Sequence, residues 1–126
     1  MILIIEDDPD IAEVLRYGLE SENFRTRVAL TGEEGLSASL DKHNPPSLIL
    51  LDLLLPGMSG IEICRRLRTE PLTRSTPVVI VTAKASDNDR LASQELGIAD
   101  YISKPFSLRQ VIACVNSLLN ENKSHL

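Results

Sequence analysis

Five short strand-like segments alternate with five stretches of helical spacing along this chain, and that alternation limits the fold more than any other feature. The segments are residues 2–5, 26–30, 48–51, 78–81 and 100–103. The first, third and fourth are continuous apolar runs, as expected of strands buried on both faces. The second alternates like a half-buried strand, and the fifth is short. Strict strand–helix alternation calls for parallel strands joined by crossover helices on both faces of one sheet. The expected fold class is α/β, a doubly wound five-stranded parallel sheet with five helices.

Local signals mark where each helix starts and stops. Asp8-Pro9-Asp10 combines a capping acid, a proline in the first turn and a further acid there. Ile11, Val14, Leu15, Gly18 and Leu19 then keep helical spacing to about Ser21. Thr31 with Glu34 forms a capping box that opens a helix to about Lys42, before Pro45-Pro46 breaks the chain. Ser59 with Glu62 opens another, to about Thr69. Pro77 introduces the fourth strand. Ser86 or Asp87 caps a weak fourth helix with a thin apolar stripe (Leu91, Ala92, Leu96), and Gly97 is placed to end it in the left-handed region. Ser107 with Gln110 precedes Val111, Ile112, Val115, Leu118 and Leu119. One domain over residues 1–120 is expected, followed by a polar tail over 121–126.

Composition narrows the function classes. A chain of 126 residues that is 43% hydrophobic and 25% charged has material for one packed core. A net charge of −5 is the wrong sign for a nucleic-acid footprint, and two tyrosines with two phenylalanines make a poor base-stacking platform. Cys64 and Cys114 lack metal-ligand spacing, so zinc is not expected, and both read as buried inert thiols. No basic leader precedes the first strand, and no apolar run approaches the length of a membrane span. The expected compartment is the cytoplasm.

In such sheets the chemistry sits beyond the carboxyl ends of the strands, where strand order reverses. Strand one ends in Glu6-Asp7-Asp8, strand three in Asp52, strand four in Thr82 and strand five in Lys104. Helix capping accounts for Asp8 and Asp10 but not for Glu6 and Asp7. Asp52 interrupts Leu48-Ile49-Leu50-Leu51 and Leu53-Leu54-Leu55, and a carboxylate in that setting must be paired, metal-bound or protonated. Thr82 and Lys104 mean little singly, since threonine is a common strand residue and most lysines are merely solvated. Pro105 fixes a turn after Lys104, and a cis bond there would aim the amine. Together the set has a distinct chemistry. Hard carboxylate oxygens without histidine or cysteine suit magnesium. Lysine is a compact cation for phosphate, a hydroxyl can donate to a phosphoryl oxygen, and a carboxylate can be a nucleophile. The combination reads as phosphorylation of an aspartate.

Ile5-Glu6-Asp7-Asp8, Leu51-Asp52-Leu53-Leu54-Leu55-Pro56-Gly57-Met58-Ser59-Gly60, Val81-Thr82-Ala83 and Lys104-Pro105-Phe106 strongly resemble the receiver domain of bacterial two-component response regulators. The resemblance extends from Met1 to about Asn120 and implies the flavodoxin-like strand order 2-1-3-4-5. It implies that Asp52 accepts a phosphoryl group from a phosphohistidine on a sensor kinase or phosphotransfer protein. Asp7, Asp52 and the Leu54 carbonyl would hold magnesium, with Glu6 acting mainly through water. Lys104 would pair with the Asp52 carboxylate and then with the phosphoryl group. Thr82 would turn to that group, and Tyr101 would rotate inward behind it. A small Ala83 would leave the phosphoryl oxygen reachable. Leu54 and Lys84 match positions that tune the lifetime of the phosphoryl group.

Two other readings are weighed beside it. A flavodoxin-like cofactor binder would need a Gly/Ser/Thr-rich phosphate loop after strand one, where acids stand instead. A phosphatase or mutase using an aspartyl phosphate would need further acid–base groups and a cap, and turnover of small phosphomonoesters separates that reading from a receiver. The run Arg65-Arg66-Leu67-Arg68 is expected to be a solvated helix face. Arg90, Glu95 and Asp100 resemble the charged pairs of a dimer face on the fourth helix, fifth strand and fifth helix. Gln110 and Cys114 stand where that pattern wants an acid and a base, so a mainly monomeric chain is expected. The cognate kinase, the effector and the regulated process are not written in the sequence.

Overall fold

In the computed structural model, residues 1–83 and 85–123 are described, with the backbone alone at 121–123. Strands β1 (Ile2–Ile5), β2 (Thr26–Ala29), β3 (Leu48–Leu51), β4 (Val78–Thr82) and β5 (Asp100–Ser103) alternate with helices α1 (Pro9–Ser21), α2 (Gly32–Ser39), α3 (Gly60–Thr69), α4 (Asp87–Glu95) and α5 (Leu108–Lys123). The strands form one parallel sheet in the order β2-β1-β3-β4-β5.

The pleat divides the apolar strand residues between two cores. Leu3, Ile5, Ile49, Leu51, Val78 and Ile80 pack on one face with Ala38 of α2 and Ile63, Cys64 and Leu67 of α3. Ile2, Ile4, Leu48, Leu50, Val79, Val81 and Ile102 pack on the other with Leu15 and Leu19 of α1 and Val111 and Val115 of α5. Each such side chain removed from water stabilises the fold by about 1.5–3 kcal/mol. Because β1 and β3 carry apolar residues on both faces, the polar residues that follow them must emerge together at one rim.

The caps follow the expected chemistry. Asp8 Oδ1 accepts from the Asp10 amide at 2.9 Å and the Ile11 amide at 3.3 Å. Thr31, Ser59, Ser86 and Ser107 each accept from the amide three residues on. The Lys104–Pro105 peptide is cis, and Gly97 ends α4 at φ +68°.

Four expectations need correction. Helix α2 ends at Ser39 and not near Lys42. Asp41 accepts from the His43 amide through one oxygen and pairs with Arg27 through the other, a local turn that competes with further helix. In α4 the fully buried residue is Ser93, whereas Leu91 of the expected stripe is 59% exposed. Cys114 is only half-buried, and its thiol donates to Asp100 Oδ2 at 3.4 Å. Arg68 does not share the solvated face of Arg65 and Arg66, since its guanidinium bonds to backbone carbonyls. Helix α5 runs to Lys123, so the tail placed at 121–126 falls on side chains and residues outside the described ones. Among the described residues no helix is long and apolar enough to cross a membrane.

Candidate functional site

Strand order reverses between β1 and β3, and a crevice opens beyond their carboxyl ends. The register Ile5↔Leu51 sets Glu6 beside Asp52. Thr82 is the last residue of β4, and Lys104 follows β5 directly. The structure thus brings Glu6, Asp7, Asp52, Thr82 and Lys104 to one place.

Asp52 is 5% exposed and fully engaged. Its Oδ1 accepts from the Thr82 hydroxyl at 3.0 Å and the Leu54 amide at 2.9 Å. Its Oδ2 accepts from Lys104 Nζ at 2.8 Å. Lys104 also pairs with Glu6 Oε1 at 2.5 Å, and Glu6 Oε2 accepts from the Asp8 amide at 3.2 Å. One ammonium therefore bridges two buried carboxylates. Burial raises the Glu6 pKa above the ordinary carboxylate value, against the lowering pull of Lys104. Burial alone would lower the Lys104 pKa, but its bonds to Asp52 and Glu6 outweigh that and raise it, so the amine stays charged.

Asp7 is exposed at the mouth of the crevice. One carboxylate oxygen from each of Glu6, Asp7 and Asp52 lies within 4.8 Å of the others. Among the described residues, these three hard oxygen donors face the single ammonium of Lys104, which leaves an excess of negative charge, so the donor set fits a small divalent cation such as magnesium.

The rim carries the remaining predicted residues. Leu54 points outward at 55% exposure, Ala83 is exposed, and Lys84 lies outside the described residues. Tyr101 is half-buried against the α3 side of the core, with its hydroxyl 2.9 Å from Ser93 Oγ and Arg90 stacked over its ring at 5.1 Å. Two residues carry roles that the sequence reading did not assign, Gly60, quoted there only within a motif, and Ser93. Gly60 matters because a Cβ there would meet the Asp52 carbonyl and Leu53 Cα at 2.6 Å, so only glycine lets α3 start this close to the β3 end. The serine-plus-glycine start of α3 was its one available signal. Ser93 gave none, since a lone serine in a polar helix is ordinary.

The response regulator receiver domain family matches residues 2–116. This chain belongs to that family. Among curated relatives, the phosphate regulon transcriptional regulatory protein PhoB of Rhizobium meliloti (strain 1021) is 38% identical over 97% of this chain and 53% of its own length. The transcriptional regulatory protein YkoG of Bacillus subtilis (strain 168) is 40% identical over 96% of this chain and 51% of its own. The receiver spans about half the length of these relatives. Among solved structures, a CheY-like receiver domain protein from Methanospirillum hungatei JF-1 superposes with a TM-score of 0.91 at 29% identity, covering 99% of this chain and 97% of the other. A response regulator from Chloroflexus aurantiacus J-10-fl gives 0.84 at 34% identity, over 94% and 96%. The expected family and strand order both hold.

Proposed function

We propose that Asp52 is the phosphoacceptor of this receiver and takes its phosphoryl group from a phosphohistidine on a sensor kinase or phosphotransfer protein. The observation that supports this best is the buried Asp52 carboxylate, held by Thr82, Leu54 and Lys104 beside two further carboxylates. A carboxylate oxygen of Asp52 attacks phosphorus, the P–N bond to the imidazole breaks, and the imidazole nitrogen leaves with the bonding pair. Asp7, Asp52 and the Leu54 backbone carbonyl would hold magnesium, with Glu6 acting mainly through water, and the ion when bound supplies positive charge to the phosphoryl oxygens. Lys104 aims the Asp52 carboxylate beforehand and then donates to the phosphoryl group. Positioning and charge neutralisation are most of what such a transfer requires.

Conversion of the carboxylate to an acyl phosphate weakens the acceptor that now holds the Thr82 hydroxyl and offers it phosphoryl oxygens instead. Thr82 turns toward them and Tyr101 moves inward behind it. Charge-assisted contacts from Thr82 and Lys104 contribute about 1.5–3 kcal/mol each. Turning a 1:99 equilibrium over takes about 5.5 kcal/mol, and because Thr82 and Lys104 already bond to the Asp52 carboxylate, only the excess of the phosphoryl contacts over those bonds drives the switch. The face of α4, β5 and α5 carries the signal to an effector. Leu54, Ala83 and Lys84 set how long the phosphoryl group survives.

An apolar groove of about 340 Å³ beside Lys104, lined by Asp10, Ile11, Val14, Pro105 and Phe106, offers the phosphodonor protein a docking surface. The receiver works in the cytoplasm as a mainly monomeric phosphoacceptor, without small-molecule turnover and without binding nucleic acid through this domain. Incubation with a small acyl phosphate and magnesium should add one phosphoryl group by intact mass. Labelling that persists after chelation of magnesium would overturn the reading, as would fast hydrolysis of small phosphomonoesters.

A further inference from the structure

Helix α4 is docked with little apolar burial: the residue it fully buries is Ser93, and Leu96 at its end packs only partly on the core. Polar contacts add to that thin packing at two places. The first is Ser93. Its hydroxyl proton goes to the Asp89 carbonyl at 2.7 Å, which can only accept. The Tyr101 hydroxyl, 2.9 Å from Ser93 Oγ, is then the donor in that bond. Arg90, one turn earlier on α4, stacks over the same ring.

The second place is the carboxyl end of the helix. Arg68, near the end of α3, sends Nε to the Leu96 carbonyl at 2.8 Å and Nη2 to the Gly97 carbonyl at 3.4 Å. Its Nη1 reaches the carbonyls of Thr76 at 2.8 Å, Thr73 at 3.2 Å and Arg74 at 3.3 Å. One guanidinium thus ties the last carbonyls of α4 to the loop before β4. Those carbonyls have no partner within their own helix and carry the negative end of its dipole, so a cation suits them. A planar fork of five donors can span them where an ammonium cannot.

The two fastenings lie differently with respect to Asp52. Tyr101 pairs in register with Ile80, two residues before Thr82 on β4, so Tyr101 and Thr82 share a face of the sheet. Thr76, Gly97 and Ala99 lie at the opposite, amino ends of β4 and β5. We propose that Ser93 is a releasable latch and Arg68 a permanent clasp, so that phosphorylation frees the amino-terminal part of α4 while its carboxyl end stays pinned. The proposal rests on the Thr82–Tyr101 switching described above and names the residues that decide which part of α4 moves.

Amide hydrogen exchange across α4 tests it, in the parent and in Ser93→Ala, each with and without magnesium beryllofluoride as phosphoryl mimic. In the parent, the mimic should speed exchange at amides 90–93 several-fold and leave 96–98 unchanged. Ser93→Ala without the mimic should already exchange about twofold to tenfold faster at 90–93, the range for loss of one hydrogen bond. The mimic should add little to it. Tyr101→Phe removes the same bond from the strand side, keeps the ring, and should act alike even if Ser93→Ala folds poorly. Parent-like exchange in both variants would overturn the latch. A response at 96–98 as large as at 90–93 would overturn the clasp. A parent in which the mimic binds Asp52 but alters no amide would instead refute the switching, while the free variants still judge the latch.

Discussion

Replacing Lys104 with methionine keeps the stem of the side chain and removes the cation that bridges two buried carboxylates. Its bonds to Glu6 at 2.5 Å and Asp52 at 2.8 Å would each correspond to about 6 kcal/mol at an effective dielectric of about 20. The measured loss should be much smaller, because a stranded carboxylate can take up a proton. From the ordinary value of 4.5 for Glu6, protonation at pH 7 costs about 3.4 kcal/mol, which sets the ceiling. A destabilisation of about 2–3 kcal/mol is therefore expected at pH 7 without magnesium. At pH 5 the same escape costs about 0.7 kcal/mol, so most of the penalty should vanish. The sign follows from linkage: in the variant the folded Glu6 holds its proton to a higher pH than the unfolded chain does. Stability is then present below about 4.5 and is lost as pH rises through the raised folded value. Magnesium restores positive charge to the same carboxylates and should raise the melting temperature of the variant more than that of the parent. Urea and thermal melts at both pH values, with and without magnesium, read all of this. A variant as stable as the parent at pH 7, or equally weakened at pH 5 and pH 7, would refute the reasoning.

Other outcomes follow from the same geometry. Asp7→Ala should lower magnesium affinity at least tenfold by titration calorimetry while leaving the melt without metal nearly unchanged, since Asp7 is exposed. Gly60→Ala should cost about 2–3 kcal/mol in urea melts, because its Cβ would overlap the Asp52 carbonyl at 2.6 Å. Burial and the bond to Asp100 push the Cys114 thiol up to about 12, so iodoacetamide at pH 9 should label it at least a hundredfold more slowly than the unfolded chain. Asp100→Ala should speed that reaction. Sedimentation should find a monomer with and without beryllofluoride, and a tight mimic-induced dimer would contradict the reading of Gln110 and Cys114.

What the sequence made legible was local or periodic. The capping side chains Asp8, Thr31, Ser59, Ser86 and Ser107 act on amides two or three residues away, so neighbouring residue types suffice to place them. Glu6, Asp7, Asp52, Thr82 and Lys104 were legible as a cluster because each stands at or just past the end of a strand, and a parallel sheet brings strand ends to one rim. What stayed hidden depends on backbone acceptors far away in sequence. Arg68 looks like its neighbours Arg65 and Arg66, which pair with Glu62 on their own helix. Its partners are carbonyls of residues 96 and 97, and carbonyls carry no residue identity to read. Ser93 is buried where α4 meets Tyr101 of β5, and Cys114 meets Asp100 across the packing of α5 on β5. The early stop of α2 follows from Asp41 bonding to its own turn, which helix periodicity does not reveal.

The central claim is that Asp52 carries the phosphoryl group, and reductive trapping tests it directly. After reaction with a small acyl phosphate and magnesium, borohydride converts a phosphorylated aspartate to homoserine, which fragment mass spectrometry can locate. The account predicts homoserine at position 52 alone, none without magnesium, and none in Asp52→Asn. Homoserine at position 7, 8 or 10, or label retained by Asp52→Asn, would contradict it.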